Sequence, residues 1–107
     1  MAARTRPHTL VNFFSAFSVL EACVSPSRPI REMIVASSAM KAAERSQAEK
    51  RSPDLYRRAE NTYWRAKQFY LAKEFKDCRL STIEARRLAE LSELEAEIRA
   101  AKEGENK

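Results

Sequence analysis

Residues 52–101 read SPDLYRRAENTYWRAKQFYLAKEFKDCRLSTIEARRLAELSELEAEIRAA, and this run carries the architecture. Its punctuation comes first. Ser52-Pro53-Asp54 supplies a capping hydroxyl, a proline suited to the first helical position, and a carboxylate for the positive end of the helix dipole. A helix over roughly 53–73 follows, with Leu55, Ala59, Thr62, Ala66 and Phe69 spaced by fours and threes along one line. Tyr56, Tyr63 and Tyr70 fall seven apart on an adjacent line, so the two lines predict one broad face turned to the core. The pattern slips phase at 73–76, which predicts a turn. A third helix over about 75–101 carries small residues on one side: Cys78, Thr82, Ala85, Ala89, Ser92 and Ala96. Nearly opposite stand Leu80, Ile83, Leu91, Leu94 and Ile98. The small side lets a neighbouring helix approach closely, while the Leu/Ile side calls for a second partner.

Upstream, Met33, Ala36, Met40 and Ala43 recur at threes and fours and predict a first helix over 31–50, its thin apolar stripe ending at Gln47. Residues 24–30, VSPSRPI, hold two Pro and two Ser and read as part of a tether spanning 23–30. The expected fold is therefore all-α: an antiparallel bundle of three helices, resembling a tetratricopeptide hairpin with a long C-terminal helix. The helical domain is expected over 31–101, and the tail 102–107 is expected to fray. A domain of this size stabilises itself only marginally, and the two-sided third helix adds a reason for dimerisation or docking.

The N-terminus reads as an address. Arg4 and Arg6 precede eleven uncharged residues, Leu10 to Leu20 (LVNFFSAFSVL), with Phe13, Phe14 and Phe17 clustered inside. A basic start, a short apolar run and a small residue before the cut describe a signal peptide over 1–22. The run is too short to span a bilayer, which takes ~20 residues. Leu20, Ala22 and Cys23 have the spacing of a bacterial lipobox, and that resemblance implies acylation of Cys23 after cleavage before it. Glu21 departs from the pattern, which prefers a small or apolar residue there. Several acyl chains, each worth ~0.8 kcal/mol per buried CH₂, anchor a protein stably. Val24 after the cysteine, by resemblance to enterobacterial sorting, favours the outer membrane. The competing readings are a cleaved signal without lipid or an uncleaved anchor, and an ordinary amphipathic or buried N-terminal helix with an incidental cysteine.

The run from Ser52 to Ala66, with Lys73 to Glu90 after it, resembles a bacterial family described only as a domain of unknown function. The matching features are Pro53 and Leu55 opening a helix, Ala59 and Ala66 along it, Glu74-Phe75 at the turn, and Ala85 and Ala89 beyond. The resemblance covers about residues 30–100, and Cys78, Ser81 and Thr82 stand where Ala or Leu is expected. It implies short Ala-rich helical proteins, commonly with a lipoprotein signal and sometimes fused to tetratricopeptide or OmpA-like modules. It implies an envelope location and no enzymatic activity, and supplies no catalytic residues.

Composition narrows the function classes. With one Gly, four Pro, two Cys and one His in 107 residues, there is too little turn material for a β-sandwich and little for a metal site. No Gly-rich phosphate loop, HExxH, CxxC or GxSxG occurs. His8 lies in the expected signal segment, Glu90, Glu93 and Glu97 read as a solvated strip, and Cys78 reads as a buried thiol. The net charge of +5 is uneven: residues 41–87 carry thirteen Lys/Arg against seven Asp/Glu, and residues 88–107 three against six. The basic part with Tyr56, Tyr63, Trp64 and Tyr70 invites a nucleic-acid reading, but the tyrosines fall on the expected core side. Trp64 and Leu71 share the back of the second helix among Arg57, Glu60 and Lys67, either as an interface hot spot or covered by a neighbouring helix. The partner-binding residues expected are therefore Trp64, Leu71, Leu91, Leu94 and Ile98, with Cys23 for lipid attachment, no catalytic residues, no metal and no cofactor. The expected function is a non-catalytic outer-membrane lipoprotein facing the periplasm, a scaffold or adaptor for another envelope protein or for itself. The alternative is a cytoplasmic helical adaptor or nucleic-acid-associated protein with an unprocessed N-terminus.

Overall fold

The computed structural model describes residues 28–105; the expected signal segment, Cys23 and most of the tether lie outside the described residues, as do residues 106–107. Four helices follow in order: α1 Ile30–Arg45, α2 Ala48–Arg51, α3 Pro53–Leu71 and α4 Phe75–Glu105. No strand occurs among the described residues. The all-α antiparallel arrangement of three long helices is the one the sequence predicts, with α2 a single added turn. Both α1 and α3 lie along α4 and touch each other much less. Met33 of α1 meets Cys78 near the start of α4, while Ala43 and Ala48 meet Ala96 near its end, so α1 runs parallel to α4. Tyr70 and Phe75 stack across the turn with ring centroids 5.9 Å apart, and α3 runs antiparallel to both neighbours.

The core is built of small side chains. Ala36, Ala43, Ala48, Ala59, Ala66, Ala85, Ala89 and Ala96 are fully buried, with Cys78, Thr82 and Ser92. Tyr56 and Leu88 add bulk to the buried set, and Pro29 is buried before α1. Every small residue predicted on one side of α4 is buried there. Alanine at a helix contact lets the axes approach toward the lower end of the ~8–10 Å range. Backbone-to-backbone dispersion then replaces the side-chain area that a Leu core would bury. The two hydroxyls in this seam cost little, because Thr82 donates to the Arg79 carbonyl at 2.7 Å and Ser92 to the Ala89 carbonyl at 2.7 Å.

Four local expectations need correction. The first helix is not continuous to residue 50: Gln47 takes a left-handed conformation, φ 59°, and starts α2 on a new axis. The kink turns Ala48 onto Ala96, which a straight helix does not do for that residue. Ser52 stands at the α3 N-cap position, but its hydroxyl makes no cap bond; at ψ 60° it is not in the extended conformation that aims a cap at the first amides. Its Oγ is buried and unpaired. The tyrosine line is not wholly core, since Tyr56 alone is buried and Tyr63 and Tyr70 are half-exposed. The cause is that α1 leans on α4 rather than α3. Finally, the tail expected to fray from 102 is helical through Glu105. Arg51 reaches Glu103 at 3.1 Å and Arg99 donates to the Arg51 carbonyl, tying the end of α4 to α2.

The turn between α3 and α4 lies where the phase slip placed it. Lys73, φ 61°, donates to the Tyr70 carbonyl, and Glu74 to the Phe69 carbonyl, a Schellman closure with lysine in the usual glycine place. Glu74 then accepts from the Cys78 amide and opens α4.

Two stability measurements check this account. Ala89→Leu forces a branched side chain into the fully buried cluster it forms with Ala59 and Leu88 and should destabilise by ~1–3 kcal/mol, whereas Ile83→Ala on the opposite side should change stability by less than ~0.5 kcal/mol. Ser52→Ala should not show the ~1 kcal/mol loss of a deleted cap and should be neutral or stabilising in urea, because it removes an unpaired buried hydroxyl.

Candidate interaction surface

The helix that supplies the close-packed seam presents its other side to solvent. Leu80, Ile83, Leu91, Leu94 and Ile98 are between 39% and 58% exposed, high for large aliphatic side chains lying on one helix face. Helical spacing puts them opposite Cys78, Ala85, Ala89 and Ala96, so α1 and α3 come only to the edges of the stripe, Val35 beside Ile83 and Thr62 beside Leu80. Within this stripe lies one ion pair. Arg87 grips Glu84 with two hydrogen bonds, Nε at 3.1 Å and Nη2 at 2.7 Å. Hydrogen bonding from Arg87 holds the Glu84 carboxyl below its ordinary pKa, and the same bond raises that of the guanidinium. Arg86 and Glu90, 3.8 Å apart, flank the stripe, as do Glu95 and Arg99 at 3.1 Å.

Trp64 and Leu71 form a separate apolar strip on α3, 62% and 81% exposed. Among the described residues no helix folds over them. Lys67, between them in sequence, places its Nζ 4.7 Å from the centroid of the Tyr63 ring, a cation–π contact. The five residues expected to bind partners thus divide into two surfaces: Leu91, Leu94 and Ile98 come together with Leu80 and Ile83, while Trp64 and Leu71 stand apart on α3.

Between α1 and α3 runs an open groove of about 490 Å³, lined among others by Ile30, Met33, Ile34, Lys41, Tyr63 and Tyr70. Sequence reasoning did not single out Ile30 and Ile34, which are 52% and 60% exposed. Their i, i+4 spacing beside the Met33–Ala36 line was the available signal. The groove exists because the short side chains of α1 fit against α4, leaving α1 in contact with α3 at few places, among them Met40 beside Leu55 and Ala59.

Cys78 is the free thiol among the described residues. It is fully buried and its Sγ lies 3.8 Å from the Met33 sulfur. Burial raises its pKa, Arg79 pulls the other way, and Glu32 adds to the rise. Tyr56 is likewise raised, first by burial and then by Glu60, Glu44 and Glu49. Both groups resist ionisation in the folded chain, so neither has the character of an activated nucleophile. Among the described residues no cluster of His, Cys, Asp and Glu is arranged to hold a metal ion, and no helix is long and apolar enough to cross a membrane.

A family model described as a domain of unknown function, DUF4398, matches residues 31–107. No curated protein and no solved structure matches the chain.

The raised thiol and phenol make the fold sensitive to alkali. The folded state keeps these protons where the unfolded chain releases them, so their contribution is intact below about pH 8.5 and declines as pH rises through the folded values. Urea midpoints should therefore fall as pH rises above about 8.5, and Cys78 alkylation at pH 8 should be at least ~ten-fold slower in native than in unfolded protein, in line with a buried thiol. Equal rates in the two states contradict the burial.

Proposed function

This chain belongs to the DUF4398 family, and from that premise we propose that it is a non-catalytic contact module: a lipid-anchored bacterial envelope protein that scaffolds or adapts another protein through its helical faces. The observation that carries the contact role is the exposed aliphatic stripe of α4, opposite a face already filled by α1 and α3. A helix apolar on both sides in a bundle of this size has surface to bury beyond its own domain. Trp64 and Leu71 supply a second, smaller contact strip; tryptophan is enriched at binding hot spots.

The envelope address rests on the N-terminal sequence. Arg4 and Arg6, the uncharged run Leu10–Leu20, and Leu20-Glu21-Ala22-Cys23 have the order of a lipoprotein signal. In this reading Cys23 carries the lipid, residues 24–30 space the bundle from the bilayer, and outer-membrane placement follows from Val24. The basic surface of residues 41–87 then lies within reach of anionic headgroups, whose attraction adds to that of the acyl chains.

Fractionation with intact-mass measurement tests the address. The expected species is membrane-bound, lacks residues 1–22 and carries acyl mass, and Cys23→Ala should leave it uncleaved and unacylated. A soluble, full-length chain of unmodified mass overturns the envelope reading.

A further inference from the structure

We propose that the exposed stripe of α4 is the contact surface for a second copy of this chain, docked antiparallel about a two-fold axis near the middle of the stripe. The inference deepens the contact-module reading and is independent of the envelope address. The stripe runs from Leu80 to Ile98, about 27 Å of helix at ~1.5 Å per residue. Its midpoint falls at residue 89, and the large aliphatics are disposed on both sides of it: Leu80 and Ile83 before, Leu91, Leu94 and Ile98 after. A two-fold axis there lays Leu80 over Ile98 of the second copy, and Ile83 over its Leu94.

Charge selects the occupant and its direction. The first half of α4 holds Lys76, Arg79, Arg86 and Arg87 against Asp77 and Glu84. Beyond residue 88 it holds Glu90, Glu93, Glu95, Glu97, Glu103 and Glu105 against Arg99 and Lys102. The helix is therefore basic at one end and acidic at the other, a pattern that complements itself only when reversed. Parallel copies set the run of glutamates side by side, and like charges across an interface oppose association. Antiparallel copies set the basic start of each helix over the acidic end of the other.

The centre of the stripe fits the same register. Arg87 lies between Ile83 and Leu91, already gripped by Glu84, so it enters the contact as a paired charge rather than a bare one. In the antiparallel register it comes beside Leu91 and Glu90 of the second copy. The α1 and α3 helices pack on the small-residue side of α4 and border the stripe, Val35 beside Ile83 and Thr62 beside Leu80, without covering it: those two aliphatics stay 52% and 58% exposed.

Sedimentation of the full chain carrying Cys23→Ser, in mild detergent, tests the assembly, with Cys78 the remaining native thiol and a buried one. The expected result is a dimer whose dissociation constant rises with salt and rises at least ~30-fold on Leu94→Glu, with unchanged helical circular dichroism. Direction is read by oxidation in the same background. Leu80→Cys chains mixed with Ile98→Cys chains should form a mixed disulfide, and Ile98→Cys alone should not link to itself. A monomer at tens of micromolar, whatever other protein it captures, overturns the proposal, as does self-linking of Ile98→Cys. Neither failure alters the fractionation result, so the address and the assembly stand or fall separately.

Discussion

The close approach of α1 and α3 to one face of α4 is the constraint on which the rest of this chain depends. That face is made of Cys78, Thr82, Ala85, Ala89, Ser92 and Ala96, all buried. Residues this small give up side-chain area in exchange for proximity, and the stabilisation comes from many short dispersion contacts between backbones. Such a seam leaves no room for an extra methylene, and the polar members must bond within their own helix, as Thr82 and Ser92 do. It also fixes the order of the layers among the described residues: α1 and α3 both pack on the small-residue side of α4.

From that arrangement the surfaces follow. Because α1 and α3 converge on α4 rather than on each other, a groove stays open between them and Tyr63 and Tyr70 remain half in solvent. Because neither passes around α4, the Leu and Ile side chains of its outer side stay partly exposed among the described residues. The exposed stripe and the tight seam are two consequences of one choice, small residues on one side of a helix and large on the other. The charged groups reinforce the geometry locally: Arg86–Glu90, Arg87–Glu84 and Arg99–Glu95 are pairs along the helix surface, each worth only a fraction of a kcal/mol in water. The longer-range tie from Arg51 to Glu103 does something different, holding the end of α4 in place.

The elements themselves were legible in the sequence. The phase slip at 73–76 marks the turn closed by Lys73 and Glu74, and every small residue that the spacing placed on the inner side of α4 is buried. What the spacing did not reveal were features of backbone conformation and of neighbours. Gln47 carries no local sign of a left-handed residue, being neither Gly nor Asn, and the kink it makes is favoured by the contact of Ala48 with Ala96. Ser52 has the chemistry of a cap and the place of one, yet burial beside Pro53 leaves its hydroxyl unpaired. Leu88 lies beside the small stripe on the wheel and is buried in a cluster with Ala59 and Ala89, against which Leu55 and Met40 pack.

The sequence by itself determined the helices, their punctuation and the two-faced character of α4, since these depend on residue type and on a period of ~3.6 that holds wherever the helix lies. Only the tertiary structure decided which of those two faces is filled. Both sides of α4 are competent to pack, and the outcome turns on the shapes of α1 and α3, whose alanines match a flat seam and leave a row of branched side chains in water.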